Sequence, residues 1–418
     1  MEHNTPNNAE TSDLRPIPRI SIQAFCETSS VQQSVDTFAT DRRISRAHVK
    51  SYMGGMRAAI EFYQSAPTPN VIIVECALGG DELIAELNHL ANVCDADTRV
   101  IVVGNKNDVL LYRRLMKFGV SEYLVAPLST VDLIGAIGEM FTKPDADPLG
   151  RTIAFVGAKG GSGSSSIAQN TAWSISELYK NGVIIADFDF GGGTVGLNFN
   201  QDPSQTIIDA LSSSEKLDET YLDRILTKCT DHLNLLTAPA ILDRTYEYTK
   251  DEIDSLVEVA QSSVPYFVMD LPYLWNDWMS ATLTSADDVV ITTTPDLAGL
   301  RNAKNLFDTL VKSRKNDPKP HVILNQVDRS KETEIKVAAF EDALETEVVL
   351  SIPFEPVVFG TAMNNGQMIA ESNPKSPTVA QFKLLAANLT GRSETVSMEK
   401  KGMKLPFLDK IRSKKKAS

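Results

Sequence analysis

Cysteine is scarce: four in 418 residues, at Cys26, Cys76, Cys94 and Cys229, with no CxxC spacing. That leaves no ligand set for a zinc cluster and no disulfide framework. Three of the four are expected in or beside strands, as small hydrophobes. Long apolar runs are missing too. None approaches the about 18 residues that a membrane-spanning helix needs. The N-terminus, 1-MEHNTPNNAETSDLRPIPR-19, lacks the charged-then-apolar order of a signal peptide, so a cytoplasmic location is expected. Positive charge is short overall, the net charge being −13. Eight Lys/Arg and one Asp fall between Lys400 and Ser418, leaving −20 on the remainder. So acidic a body argues against broad DNA binding, and its basic end fits a local anionic partner.

What is present is ample core material. The chain is 42% hydrophobic, and its length predicts two or three domains. Residues 1–18 are polar and expected to be disordered. From 19 to 143, short apolar runs alternate with helical patterns. The strand candidates are 19-RISIQAF-25, 70-NVIIVEC-76, 99-RVIVVG-104 and 122-EYLVAP-127. Helices are expected over 81-DELIAELNHLANV-93 and 108-DVLLYRRLMKFG-119, the second stopped by Gly119. Fully apolar strands separated by helices imply a buried parallel sheet. A linker, residues 144–150, lies within the Pro/Asp/Gly-rich 142-TKPDADPLG-150. A second α/β domain spans 151–391, and a basic tail occupies 392–418.

The first domain resembles the receiver domain of two-component signalling, a flavodoxin-like fold. That likeness would require an acidic cluster after the first strand, a phospho-accepting Asp after the third and a Lys after the fifth. The matching places read Glu27-Thr28, Glu75 and Ala126-Pro127. The extra methylene of Glu75 displaces the nucleophile, and no lysine is left to read out a phosphate. A docking module that is not phosphorylated is the expectation.

In the second domain, 151-RTIAFVGAKGGSGSSSIAQN-170 reads as strand, glycine-rich turn and helix, the helix starting near Ser164. Gly160, Gly161 and Gly163 let the backbone bend and turn its N–H groups inward. With the helix N-terminus, those groups can hold phosphate without any side chain. Residues 182-GVIIADFDFGGGTVGLNF-199 give a strand ending in Asp187 and Asp189. Two carboxylates at such an exit can face a magnesium ion and its waters. The run 264-VPYFVMDLP-272 ends likewise in Asp270, and 287–310 and 321-HVILNQVD-328 supply further strands.

These pieces resemble the ParA/MinD superfamily of P-loop NTPases, whose deviant Walker A loop is Lys-Gly-Gly-x-Gly-Lys-Thr/Ser. Here Lys159 opens the loop, but Ser164 replaces the second lysine. The resemblance implies that Lys159 acts across a dimer on the partner's nucleotide, no task within its own subunit being evident. It implies that Lys159, Gly160, Gly161, Ser162, Gly163, Ser164, Ser165 and Ser166 bind nucleotide. Ser165, Asp187, Asp189 and Asp270 would hold Mg2+, and Asp189 would orient the attacking water. Asn325, with Pro353 and Phe354 of a loop at 352-IPFEP-356, would frame adenine.

The loop sequence Ser-Ser-Ser-Ile-Ala-Gln-Asn is similar to that of the CpaE/TadZ proteins of Flp-type (tight-adherence) pilus systems. So are 104-GNKNDVLLYRRLMKFGVSEYLVAPLS-129, 196-GLNFNQDPSQTIIDAL-211 and 352-IPFEPVVFGTAMNNGQMIAE-371. The resemblance implies a homodimer formed around ATP and Mg2+, acting with pilus secretion machinery at a pole or near the inner membrane. Loss of one electrostatic donor costs about 10²–10³ in rate, so slow or negligible hydrolysis is expected. The alternatives are a ParA-type DNA-segregation ATPase, which the acidic body opposes, and a scaffold that binds no nucleotide. An iron-cluster protein of this fold would need paired cysteines, and only Cys229 lies in the second domain.

The tail, 403-MKLPFLDKIRSKKKAS-418, sets Leu405, Phe407, Leu408 and Ile411 beside dense positive charge. It resembles in plan the membrane-targeting helix of MinD, which implies contact with anionic lipid. A solvated basic end is the other reading.

Overall fold

The computed structural model describes residues 17–18, 20–141, 149–213, 216–242, 245–330 and 332–392. The expectations for the N-terminal residues, most of the linker and the tail lie outside these. Among the described residues no helix is long and apolar enough to cross a membrane.

The first domain has five strands: β1 (Ser21–Cys26), β2 (His48–Met53), β3 (Val71–Glu75), β4 (Arg99–Gly104) and β5 (Glu122–Val125). All pair in parallel in the order β2-β1-β3-β4-β5. This is the doubly wound flavodoxin-like order. Four strands coincide with the apolar runs in the sequence. The fifth, β2, was not expected, because HVKSYM is polar and sits half-exposed on the sheet edge. The helix Val109–Phe118 stops at Gly119 with φ 103°, in the left-handed region glycine tolerates.

Glu75 occupies the phospho-acceptor place and is already engaged. Its Oε2 accepts from the backbone N–H of Glu27 (2.7 Å) and Thr28 (2.8 Å), and its Oε1 from the Thr28 hydroxyl (2.8 Å). The carboxylate therefore ties β3 to the start of the helix Ser29–Phe38. Cys26 and Cys76 are buried beside these strands, and burial pushes the Cys26 thiol up to about 12.

The second domain adds β6 (Arg151–Gly157), β7 (Val183–Asp187), β8 (Thr227–Lys228), β9 (Leu233–Leu236), β10 (Tyr266–Leu271), β11 (Asp288–Thr293), β12 (His321–Val327) and β13 (Val348–Pro353). The sheet order is β13-β12-β11-β6-β10-β7-β9-β8, parallel except for the β8–β9 pair. Alternation along β6 builds both cores. Ala154 and Val156 join Phe188, Trp278 and Phe307 on one face, while Ile153 and Phe155 join Ile167, Ile323 and Phe382 on the other.

A buried ionic seam joins the domains. Arg42 donates Nε to Asp317 (2.8 Å) and Nη2 to Asp287 (3.1 Å), and Arg43 reaches the other Asp317 oxygen (2.5 Å). Asn316 donates to Asp41 (2.8 Å). Arg42 and Arg43 precede β2, Asp287 precedes β11 and Asp317 precedes β12. The seam thus covers the amino ends of both parallel sheets. Their carboxyl ends, where doubly wound folds place chemistry, point away from it.

Behind the seam, Asp288 pairs with Arg151 (2.5 Å) and His321 (3.3 Å), tying together the starts of β6, β11 and β12. Burial alone would raise its carboxyl; hydrogen bonds from His321 and Arg151 outweigh this and hold it at about 2. An unfolded Asp titrates near 3.9. The pair's contribution, on the order of 2–3 kcal/mol, is therefore complete above about pH 4 and lost as pH falls through about 2. The expected result is that Asp288→Asn lowers stability at neutral pH and that its gap from the unaltered protein closes near pH 2. Urea unfolding at both pH values checks this, and an equal gap at each would contradict it.

Candidate functional site

β6 ends at Gly157 and the chain turns through Lys159–Gly163 into the helix Ser164–Tyr179, as its sequence predicts. Gly161 (φ 78°) and Gly163 (φ 86°) hold left-handed backbone. At Gly163 there is a second reason for glycine: a Cβ would lie 2.4 Å from Asn325 Nδ2. Asn325, on β12, donates that amide to the Ser162 carbonyl (2.8 Å). Its amide nitrogen braces the loop from beneath. Ser162 and Ser164 are buried, and the Ser164 hydroxyl has no partner within the protein. Ser166 contacts Met363 Sδ at 3.9 Å.

The three aspartates group beside the loop. Asp187 closes β7 and stands in register with Asp270 on β10. Asp187 accepts from the N–H of Val195 (3.0 Å) and Asp189 (3.1 Å). Burial raises the Asp270 carboxyl well above the usual range, the charge of Asp187 adds to this, and a hydrogen bond from Ser165 opposes it. Asp187 is raised by burial first, against the hydrogen bonds from Val195 and Asp189. Asp189 lies two residues beyond the strand, exposed, accepting from Gly192 N–H (3.1 Å). Among the described residues no three or more His, Cys, Asp or Glu form a metal cage.

Lys159 corrects the reading of its side chain as idle within its own subunit. Its Nζ pairs with Asp296 at 2.5 Å. Burial would raise the Asp296 carboxyl, but hydrogen bonds from Lys159 and Thr294 hold it at about 2. Asp296 also caps the helix Leu297–Ser313 through Gly299 N–H (2.8 Å). Sequence reasoning passed over it. The signal was there: an Asp three residues beyond an apolar strand, after Thr294 and Pro295, and three residues before the glycine whose N–H it accepts. Both partners are part-exposed, so the pair is worth about 1 kcal/mol or less. Lys159 can therefore leave Asp296 at small cost.

Pro353 and Phe354 lie one strand further out than Asn325. Pro353 ends β13, paired with Val327, and Pro356 opens the helix Pro356–Asn364. The expected 352–356 loop is thus mostly strand end and helix start. Phe354 is part-exposed, with the Arg329 guanidinium 4.9 Å from its ring centre.

No protein-family model matches the chain. The septum site-determining protein MinD of Synechocystis sp. is 25% identical over 264 residues, 62% of this chain and 93% of that protein. A solved ParA family ATPase from Chlorobium tepidum is 25% identical, with TM-score 0.53 over 56% of this chain and 98% of its own. A solved pilus assembly protein CpaE from Caulobacter crescentus is 44% identical, covering 31% of this chain and 98% of its own, with TM-score 0.30. The MinD and ParA likenesses run over most of those proteins' lengths and share the eight-stranded domain's fold. The eight-stranded domain has the fold of the MinD/ParA P-loop ATPases, and the chain is similar to them in sequence.

Proposed function

We propose that this protein is an ATP- and Mg2+-binding localisation and assembly factor of a Flp-type pilus secretion system. It dimerises around nucleotide and hydrolyses it slowly or not at all. The observation that carries this reading is the phosphate loop itself: the full glycine turn is kept while Ser164 stands where a lysine belongs. Binding by backbone N–H groups survives that exchange, and the stabilisation of transferred charge does not.

The residues fit the cofactor. The orphaned Ser164 hydroxyl and the glycine turn offer polar groups to phosphate. The crowded Asp187–Asp270 pair, both raised by burial, would be relieved by a cation. Magnesium keeps several waters and takes few protein ligands, so Ser165 with one or two of Asp187, Asp189 and Asp270 suffices. Asp189, the exposed member, would orient water. Asn325, Pro353 and Phe354 would stand on the adenine side.

The pilus assignment rests on the segments shared with CpaE/TadZ proteins, and the sequence likeness to the Caulobacter protein supports it over part of the chain. A polar site near the inner membrane and partners in the secretion machinery belong to the same reading. The receiver-like domain is a docking module here, its Glu75 being engaged in the fold.

Isothermal titration with ATP–Mg is expected to show binding; no heat and no saturation would end the nucleotide reading. Sedimentation velocity with ATP–Mg is expected to show a dimer that Lys159→Ala weakens. An unchanged dimer in that variant would remove the role of Lys159 across the interface.

A further inference from the structure

The exchange at Ser164 removes a cation from the loop, and Lys159 is neutralised by Asp296. A third basic side chain borders the same place. A cavity of about 330 Å³ has Lys159, Gly161, Gln326 and Arg329 in its lining, together with the carboxylates of Asp296 and Glu334. Arg329 is exposed, and among the described residues no carboxylate pairs with it.

Its position is built. Gln326 donates Nε2 to the Gly161 carbonyl (2.9 Å) and accepts at Oε1 from Arg329 Nη1 (3.1 Å). The Phe354 ring lies under the guanidinium. Gln326 (φ 58°) and Asp328 (φ 65°) both hold left-handed backbone, which non-glycine residues rarely adopt outside functional or tightly determined segments. Glu334 fixes the following turn by accepting from the N–H of Asp328 (2.9 Å) and Ser330 (2.7 Å). A strained, braced turn thus carries a guanidinium with no carboxylate partner among the described residues to the rim of a phosphate loop that has Ser164 in place of its second lysine.

We infer that Arg329 binds the terminal phosphate of a nucleoside triphosphate, taking over the charge that Ser164 does not supply. This rests on the nucleotide reading above. A guanidinium suits the task, since it stays charged and donates two parallel N–H groups to phosphate oxygens. That phosphate has two sources: the nucleotide in the same subunit's loop, or the nucleotide of a second copy facing it.

The test uses the full chain, Arg329→Ala and Arg329→Lys, with ATPγS–Mg and ADP–Mg as probes. Calorimetry is run at concentrations where the protein is monomeric, and sedimentation where it dimerises. One charge-assisted hydrogen bond lost is about tenfold or more in affinity. For phosphate in the same subunit, Arg329→Ala loses that factor for ATPγS in the monomer and keeps its ADP affinity. For phosphate on a second copy, monomer affinity holds and the ATPγS-dependent dimer weakens by a similar factor. Lysine restores part of either loss. Equal weakening for ATPγS and ADP would mark Arg329 as a structural strut and overturn the inference. So would unchanged affinity together with an unchanged dimer. If the unaltered protein binds neither probe, the nucleotide reading itself fails and this role falls with it.

Discussion

Replacing Asp317 with alanine is expected to destabilise the chain by about 3 kcal/mol, the cost of removing one shared partner from two buried ion pairs. Asp317 holds Arg42 with one oxygen and Arg43 with the other, and all three side chains are at most 6% exposed. Removing the carboxylate takes one of two counter-charges from each buried guanidinium, leaving Arg42 with Asp287 and Arg43 with Asp41. The same substitution at Glu258, which pairs with Arg46 at the exposed rim of the seam, should cost about 1 kcal/mol or less. Urea unfolding of both variants separates the two cases. Equal midpoints for Asp317→Ala and Glu258→Ala would show that the seam is solvated and weak.

Ser164→Lys is expected to raise ATP turnover by about 10²–10³, the usual worth of one electrostatic donor to charge in a transition state. Affinity for ATP should change less, because the glycine turn and the helix N-terminus bind phosphate in either version. Single-turnover phosphate release at saturating ATP–Mg is the measurement. An unchanged rate with intact binding would mean that the exchange at residue 164 is not what slows the chemistry.

Most elements that could be read from sequence are those whose residues are buried on both faces; the half-buried β5 is an exception. β1, β3 and β4, and β6, β7, β10, β11 and β12 announce themselves as apolar runs, because a strand covered on both sides needs no polar alternation. β2 is polar and marginal, and β8 and β9 are two and four residues long. Nothing in their composition separates them from loop. At the site, the glycine turn and the aspartates at strand ends were legible because backbone geometry and strand register fix them. Asp187 facing Asp270 needs only two adjacent parallel strands. The pairing of Lys159 with Asp296, and the braces from Asn325 and Gln326, join residues more than 130 positions apart. Such contacts depend on the sheet order, which local patterns do not encode.

The ionic seam gives the molecule a direction. Because each sheet is joined to the other at its amino ends, the two domains present the loops at their carboxyl ends to opposite sides, back to back. A protein captured on the carboxyl face of the receiver-like domain would lie across the seam from the phosphate loop. Two copies meeting at their phosphate loops would carry their receiver-like domains outward, as the ends of a rod. Its reach would follow from strand length and from the rigidity of a few buried charges. Such an object would measure distance: whatever it gathered at one end would be kept apart from what it gathered at the other by a fixed span.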